Sequence, residues 1–162
     1  MLRQLIHSDT HTTSRVQVGG SFRTLRFDVC NGFTNQRISL LYRVVAAVRS
    51  GRAVVVPRLV TDGRTGHSGS QQVMFGDIYD EGHFKREMRK ASVIVVSENV
   101  APQPHEYLDI DDVSRLGQFA VVDHVSIPCP LFSLQIQPHE DTLLWSVLDA
   151  LVPAPWTQVS CI

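Results

Sequence analysis

Cysteine is scarce in this chain. Cys30, Cys129 and Cys161 are odd in number and far apart, which argues against a disulfide framework. No Cys-x-x-Cys pair is present to start a structural zinc site. No apolar run approaches the roughly 18 residues needed to cross a bilayer. The first residues, MLRQLIHSDTHTTSR, lack both the apolar core and the small-residue cleavage site of a secretory signal. Residues 1–20 therefore read as a polar leader, and 21–162 as one domain. A strong excess of either charge is also missing. Fifteen basic residues stand against 16 acidic ones, a formal net charge of −1, and this argues against a general nucleic-acid binder.

What is present suits a folded domain. Hydrophobic residues make up 43% and charged residues 19% of the 162 positions, too apolar and too weakly charged for intrinsic disorder. The charge is unevenly placed. Residues 1–75 carry ten Arg and three Asp, residues 76–115 five basic and nine acidic groups, and residues 116–162 four carboxylates with no Lys or Arg. An arginine-rich first half is compatible with a phosphate-bearing ligand, but on its own it is a weak signal.

The clearest unit lies within residues 25–57. Leu25–Cys30 alternates and then turns apolar, as a strand entering a sheet does. Asn31–Asn35 is a short loop of turn-forming and capping residues. From Gln36 to Ser50 the spacing predicts a helix, with Ile38, Leu41, Val45 and Val48 on the apolar stripe, broadened by Leu40 and Val44. Gln36, Ser39, Arg43 and Ser50 then lie on the opposite side. Gly51 is placed to end the helix in the left-handed conformation. Ala53–Val56 reads as a buried parallel strand stopped by Pro57. Strand, loop, helix and strand in this order form a βαβ unit.

Further on, residues 61–70 read as a polar surface loop. Asp80 is positioned to cap a helix running to about Lys90, with a narrow stripe of Phe84 and Met88. Val93–Val96 and Phe119–Val122 read as strands. His139–Thr142 opens a helix whose Leu143, Leu144, Val147, Leu148 and Leu151 face a core, ended by Pro153 and Pro155. The alternation predicts an α/β domain with a Rossmann-like, mostly parallel sheet.

In such sheets ligands bind at the carboxyl ends of strands, close to helix N-termini. The loop 31–37 has that location. Gly32 permits close backbone approach, Asn35 offers an amide donor and acceptor, and the helix N-terminus favours phosphate. Arg37 adds a positive charge if it turns toward the loop. The plain structural alternative is that Asn35 only caps the helix and Gly32 only makes a turn. Other candidates carry less. His83 and Glu87 share a helix face but lack a third ligand. Asp109, Asp111 and Asp112 lack the glycine and glutamate of a calcium loop. Asp77 and Asp80 are placed to orient a hydroxyl, with capping the simpler role for Asp80.

The stretch Cys30-Asn31-Gly32-Phe33-Thr34-Asn35-Gln36-Arg37-Ile38-Ser39-Leu40-Leu41-Tyr42, followed by Gly51-Arg52-Ala53-Val54-Val55-Val56-Pro57, resembles the start of the GDP-fucose O-fucosyltransferase family. That family has a glycine loop ending in Asn-Gln, often followed by Arg, then a helix and a strand of the type R-T-L-V-V-P. Phe75-Gly76-Asp77-Ile78-Tyr79-Asp80 with His83-Phe84 looks like the family's Phe-x-x-Ile-Phe-Asp segment. Ala150–Pro155 looks like the stretch before the family's second motif.

The resemblance implies the N-terminal Rossmann-like domain of a GT-B glycosyltransferase, with the second domain absent from these 162 residues. It implies fucose transfer from GDP-fucose to a hydroxyl of a protein or glycan acceptor, without a metal or other cofactor. It assigns Gly32, Phe33, Thr34, Asn35 and Gln36 to the donor-facing loop and names no catalytic residue here. Asn31 stands where many relatives have a second glycine. The family's His-x-Arg motif, which holds the nucleotide, has no counterpart, so the chain alone is expected to be inactive. The family works in the secretory pathway, while no signal segment is visible. A non-catalytic lone α/β binding module is the alternative, and an unrelated small phosphate-ligand enzyme a weaker one.

Overall fold

The computed structural model describes residues 22–29, 32–61, 71–107, 122–127 and 137–155. The leader, most of the loop 61–70, the three aspartates at 109–112, Asn31, all three cysteines and residues 119–121 lie outside the described residues. Strands β1 (Thr24–Phe27), β2 (Ala53–Val55), β5 (Val95–Val96), β6 (Glu106–Tyr107) and β7 (His124–Ile127) form one sheet. Its order is β5-β2-β1-β7-β6, and every pairing is parallel. A second, antiparallel pair joins β3 (Leu59–Val60) to β4 (Gln72–Val73). The α/β, mostly parallel architecture read from the sequence is the one observed.

The order places a topological switch beside β1. From β1 the chain builds outward through β2 to β5, then crosses to β6 and returns to β7 on the other side of β1. Crevices at such points, outside the carboxyl ends of the strands, are where open α/β sheets bind ligands.

Helices α1 (Phe33–Arg49), α3 (Glu81–Lys90) and α4 (Asp141–Ala150) form one layer, with α4 packed against both others; α2 (Phe75–Ile78) is a single turn. One continuous core joins Leu25, Phe27, Val54, Val125 and Ile127 of the sheet to Leu40, Val44, Phe84, Met88, Val147 and Ala150 of the helices. Asp80 caps α3, accepting the His83 N–H at 2.7 Å, and Phe84 and Met88 are its buried residues, both as expected.

α1 departs from its expected amphipathic pattern. It starts three residues earlier, because Gly32 in extended conformation serves as the N-cap. Its buried residues include Gln36, Ser39 and Arg43, predicted to face away, whereas Val48 is 45% exposed. The helix is covered on more than one side, and of the polar members of its buried face Gln36 is held by hydrogen bonds described below, while the Ser39 hydroxyl is buried without a partner. Val93–Val96 also departs from expectation. Only Val95–Val96 pairs, at a sheet edge, and Ile94 is exposed. The expected strand Phe119–Val122 lies almost wholly outside the described residues, and a strand not expected from the sequence is found at His124–Ile127, where the polar His124 and Ser126 hide it.

Both major helix ends close with the same motif. Gly51 adopts φ +61°; its N–H donates to the Val48 carbonyl, and the Arg52 N–H donates to Ala47. Ser92, at φ +60°, does the same for α3, with Val93 donating to Met88 and Ser92 to Arg89. These are Schellman closures, natural for glycine and costly for serine.

Arg52, 5% exposed, then donates from Nη1 to the Thr24 carbonyl at 3.3 Å and the Asp123 carbonyl at 3.1 Å. It thereby ties the starts of β1 and β7 to β2. At the same C-terminal end of α1, Arg49 makes a two-pronged bond to Glu140 at 2.5 Å on each prong. Glu140, 7% exposed, also accepts the Gln137 N–H at 2.8 Å.

The hydrogen bond from Arg49 holds the Glu140 carboxyl below the usual glutamate range, against the opposing effect of burial. A depressed carboxyl stabilises the fold above its unfolded pKa, and that stability is lost as pH falls through the folded value. Glu140→Gln is therefore expected to cost about 2 kcal/mol near neutrality. The gap between variant and parent should narrow on titrating below about pH 4.3, read as urea midpoints across that range.

Candidate functional site

The loop after β1 ends at the N-terminus of α1. The first bond within the helix runs from the Gln36 N–H to the Gly32 carbonyl at 3.1 Å. The N–H groups of Phe33, Thr34 and Asn35 therefore have no acceptor within the helix. No side chain caps this end, and no acidic residue stands in its first turn. The partial positive charge of the helix end is left unneutralised by the helix itself, which suits an anionic ligand.

Gly32 has φ −62° and ψ 162°, values open to any residue. A Cβ built there meets nothing within 4 Å. Neither backbone conformation nor internal packing calls for glycine at this position. Asn35 is the third residue of α1 and half-buried, so it does not act as the N-cap; Gly32 has that place. Phe33 and Thr34 are exposed.

Gln36 is separated from its neighbours by burial, at 1% exposure. Its Nε2 donates to the Val60 carbonyl at 2.8 Å, and its Oε1 accepts the Val60 N–H at 2.9 Å. Of the five residues expected to face the donor, four thus sit at the open end of α1, and the fifth holds α1 to β3.

Two ionic groups that sequence spacing did not reveal stand past the ends of neighbouring strands. Glu98, two residues after β5, accepts from Arg26 Nη1 at 2.9 Å and from Arg58 Nη2 at 3.3 Å. Arg26 lies in β1, and its Nε and Nη2 are buried without a hydrogen-bond partner. Next to Glu98, Ser97 donates to Glu81 at 2.5 Å and receives a bond from Lys85, which pairs with Glu81 at 2.8 Å. The residues concerned are 72 and 40 positions apart in the first group, so only the sheet order brings them together.

Aromatic contacts lead from the loop into the core. Phe33 stacks on Tyr79 at 5.8 Å and 19°, Tyr79 meets Phe75 at 5.1 Å, and Phe75 meets Phe84 at 5.1 Å. Burial pushes the Tyr79 phenol above its ordinary pKa, with the charge of Arg37 acting in the opposite direction. Asp77 accepts the Met74 N–H at 2.9 Å. His83 and Glu87 line a groove between α3 and α4 with His139. Among the described residues no three His, Cys, Asp or Glu side chains are grouped to hold a metal, and no helix is long and apolar enough to cross a membrane.

The fold is an α/β domain with an open, uncapped helix end beside the switch point of its parallel sheet, the place where open α/β sheets bind ligands. Residues 25–128 match the GDP-fucose protein O-fucosyltransferase family, and the chain belongs to that family. Among solved structures it is similar to POFUT1 in complex with GDP, at 12% identity and TM-score 0.55, over 85% of this chain and 52% of that one. It is also similar to POFUT1 in complex with GDP-fucose, at 11% identity and TM-score 0.58, over 85% and 53%. At such identities the likeness is one of fold. The chain spans about half the length of these POFUT1 structures. No curated protein sequence matches it significantly.

The contrast within the loop is measurable. Gln36→Ala leaves a buried peptide N–H and C=O unpaired and is expected to cost about 2–4 kcal/mol. Gly32→Ala is expected to stay within about 0.5 kcal/mol of the parent. Equilibrium denaturation of both variants checks the pair, and equal losses would contradict the distinction.

Proposed function

We propose that this chain is the first, Rossmann-like half of an enzyme that moves fucose from GDP-fucose to a hydroxyl of an acceptor polypeptide. The observation that carries the reading is the open N-terminus of α1. A glycine that the fold does not require stands there, beside three N–H groups without helical acceptors, at the switch point of the sheet. Membership of the family supplies the donor class.

In this reading Gly32 lets the sugar nucleotide lie against the backbone, and the N–H groups of Phe33, Thr34 and Asn35 face the negative charge growing on the departing diphosphate. Preorganised donors of this kind are worth about 2.7–4 kcal/mol each in comparable sites. The Asn35 amide is placed to hold the reacting hydroxyl or sugar oxygen. Remaining contacts to the nucleotide, including an arginine, fall to a second half, and the transfer needs no metal. Gln36 serves the site by fixing the helix rather than by touching the donor.

The test is turnover of GDP-fucose by the native full-length protein with polypeptide acceptors, in the presence and absence of EDTA. Activity insensitive to EDTA is expected, with Asn35→Ala lowering kcat by about 10²-fold or more. Replacing Gly32 with valine is expected to weaken GDP-fucose binding about tenfold while leaving the denaturation midpoint almost unchanged. GDP-fucose binding without turnover would favour the alternative, a non-catalytic binding module.

A further inference from the structure

A cleft adjoins the glycine loop, and of its lining only Phe33, through its backbone N–H, takes part in donor binding as read above. Phe33 and Arg37, four residues apart, share one flank of the start of α1. With Ile78, Tyr79, Leu151 and Pro153 they line a cleft of about 340 Å³. Among the described residues that line it, Arg37 is the only charged one and none is a carboxylate. Phe33 is 48% exposed and Tyr79 5%.

The Tyr79 hydroxyl is buried and has no hydrogen-bond partner. An unpaired buried hydroxyl weakens a fold, and phenylalanine would fill the same volume without that penalty. The isolated chain therefore gains nothing from this oxygen. Burial keeps the phenol neutral, so it is able both to donate and to accept. A cationic rim, aromatic walls and an unsatisfied hydroxyl together describe the chemistry of an occupant.

We propose that this cleft is an acceptor subsite, taking an apolar, aromatic-sized side chain of the acceptor polypeptide that has a carboxylate beside it. The inference rests on the transfer reading above. The occupant's apolar group lies against Phe33 and Tyr79, and its carboxylate meets Arg37. Occupancy parts the stacked pair and gives the Tyr79 hydroxyl its missing partner. A glycan fits less well: its many hydroxyls would be buried with few groups to satisfy them.

The test uses the 162-residue chain, labelled with ¹⁵N and titrated with 3-phenylpropionate as probe. 3-Phenylpropanol serves as the uncharged control and lactose as the glycan control. Shifts at Phe33, Ile78 and Tyr79 are expected with phenylpropionate, about fivefold weaker for the alcohol and for Arg37→Gln. Tyr79→Phe is expected to raise Tm yet weaken the probe. No shifts in the cleft, equal binding of acid and alcohol, or a stronger response to lactose would overturn the assignment. So would a Tyr79→Phe variant that is destabilised or binds the probe unchanged. GDP-fucose is titrated separately. If the cleft fills but the native full-length protein neither binds nor turns over GDP-fucose, the transfer reading fails, and with it the acceptor role, while the carboxylate-binding cleft itself stands.

Discussion

A buried glutamine amide paired with a single peptide group sets the position of the candidate site. Gln36 meets the N–H and C=O of Val60 as a neighbouring strand would, and both groups are inaccessible to solvent. Because every polar atom in that contact would be costly to strand, the first turn of α1 has one available position relative to β3. The loop before it must then reach from the end of β1 to a fixed helix start. The uncapped N–H groups consequently point outward at the switch between β1 and β7 instead of being absorbed by the core. Precision at the open end derives from satisfaction at the closed one.

Charge is distributed around this end with the same logic. At the amino ends of the strands Arg52 links backbone carbonyls beside β1 and β7 and is fully engaged in structure. At the carboxyl ends Glu98 collects two arginines, one central and one largely exposed. Surface ion pairs add little to stability, but this one is partly buried and orients Arg26 and Arg58 near the carboxyl edge of the sheet. The Glu81–Lys85–Ser97 group lies on the neighbouring residue of the same segment, so the exit of β5 is anchored on two sides. The exit of β5 thus has its charges mostly matched, whereas no side chain caps the N-terminus of α1.

The sequence made the βαβ unit legible because strand, loop and helix are contiguous there and because Gly51 and Pro57 punctuate it. The same holds for the Asp80 cap and for the paired Phe84 and Met88. The rotation of α1 was not legible. Gln36, Ser39 and Arg43 look like solvent-facing residues by hydrophobic periodicity, and the burial of Gln36 becomes reasonable only once Val60 arrives from 24 residues away. The short pair β3–β4 escaped notice because two-residue strands carry no periodic signal. β7 escaped because His124 and Ser126 are polar, Thr24 standing 2.9 Å from the His124 ring. Within the site, the open helix end could be read from local spacing. The Phe33–Tyr79 stack and the Arg26–Glu98–Arg58 group could not, since they depend on the order of strands.

The contacts proposed for donor and acceptor fall where the fold is indifferent. Gln36 is demanded by packing, and its loss would be felt throughout the helix. Gly32 is demanded by nothing internal, since its torsions suit any residue and its Cβ would face open space. The Tyr79 oxygen is worse than unnecessary, being buried without a partner. Stability alone would replace both, the glycine by a residue that limits the unfolded chain and the tyrosine by phenylalanine. That each remains beside the same helix end, one on the donor side and one on the flank, is most simply explained by groups that meet them from outside the chain. The marginal stability of proteins leaves room for a few such costs, and these two fall on adjoining surfaces beside the start of α1.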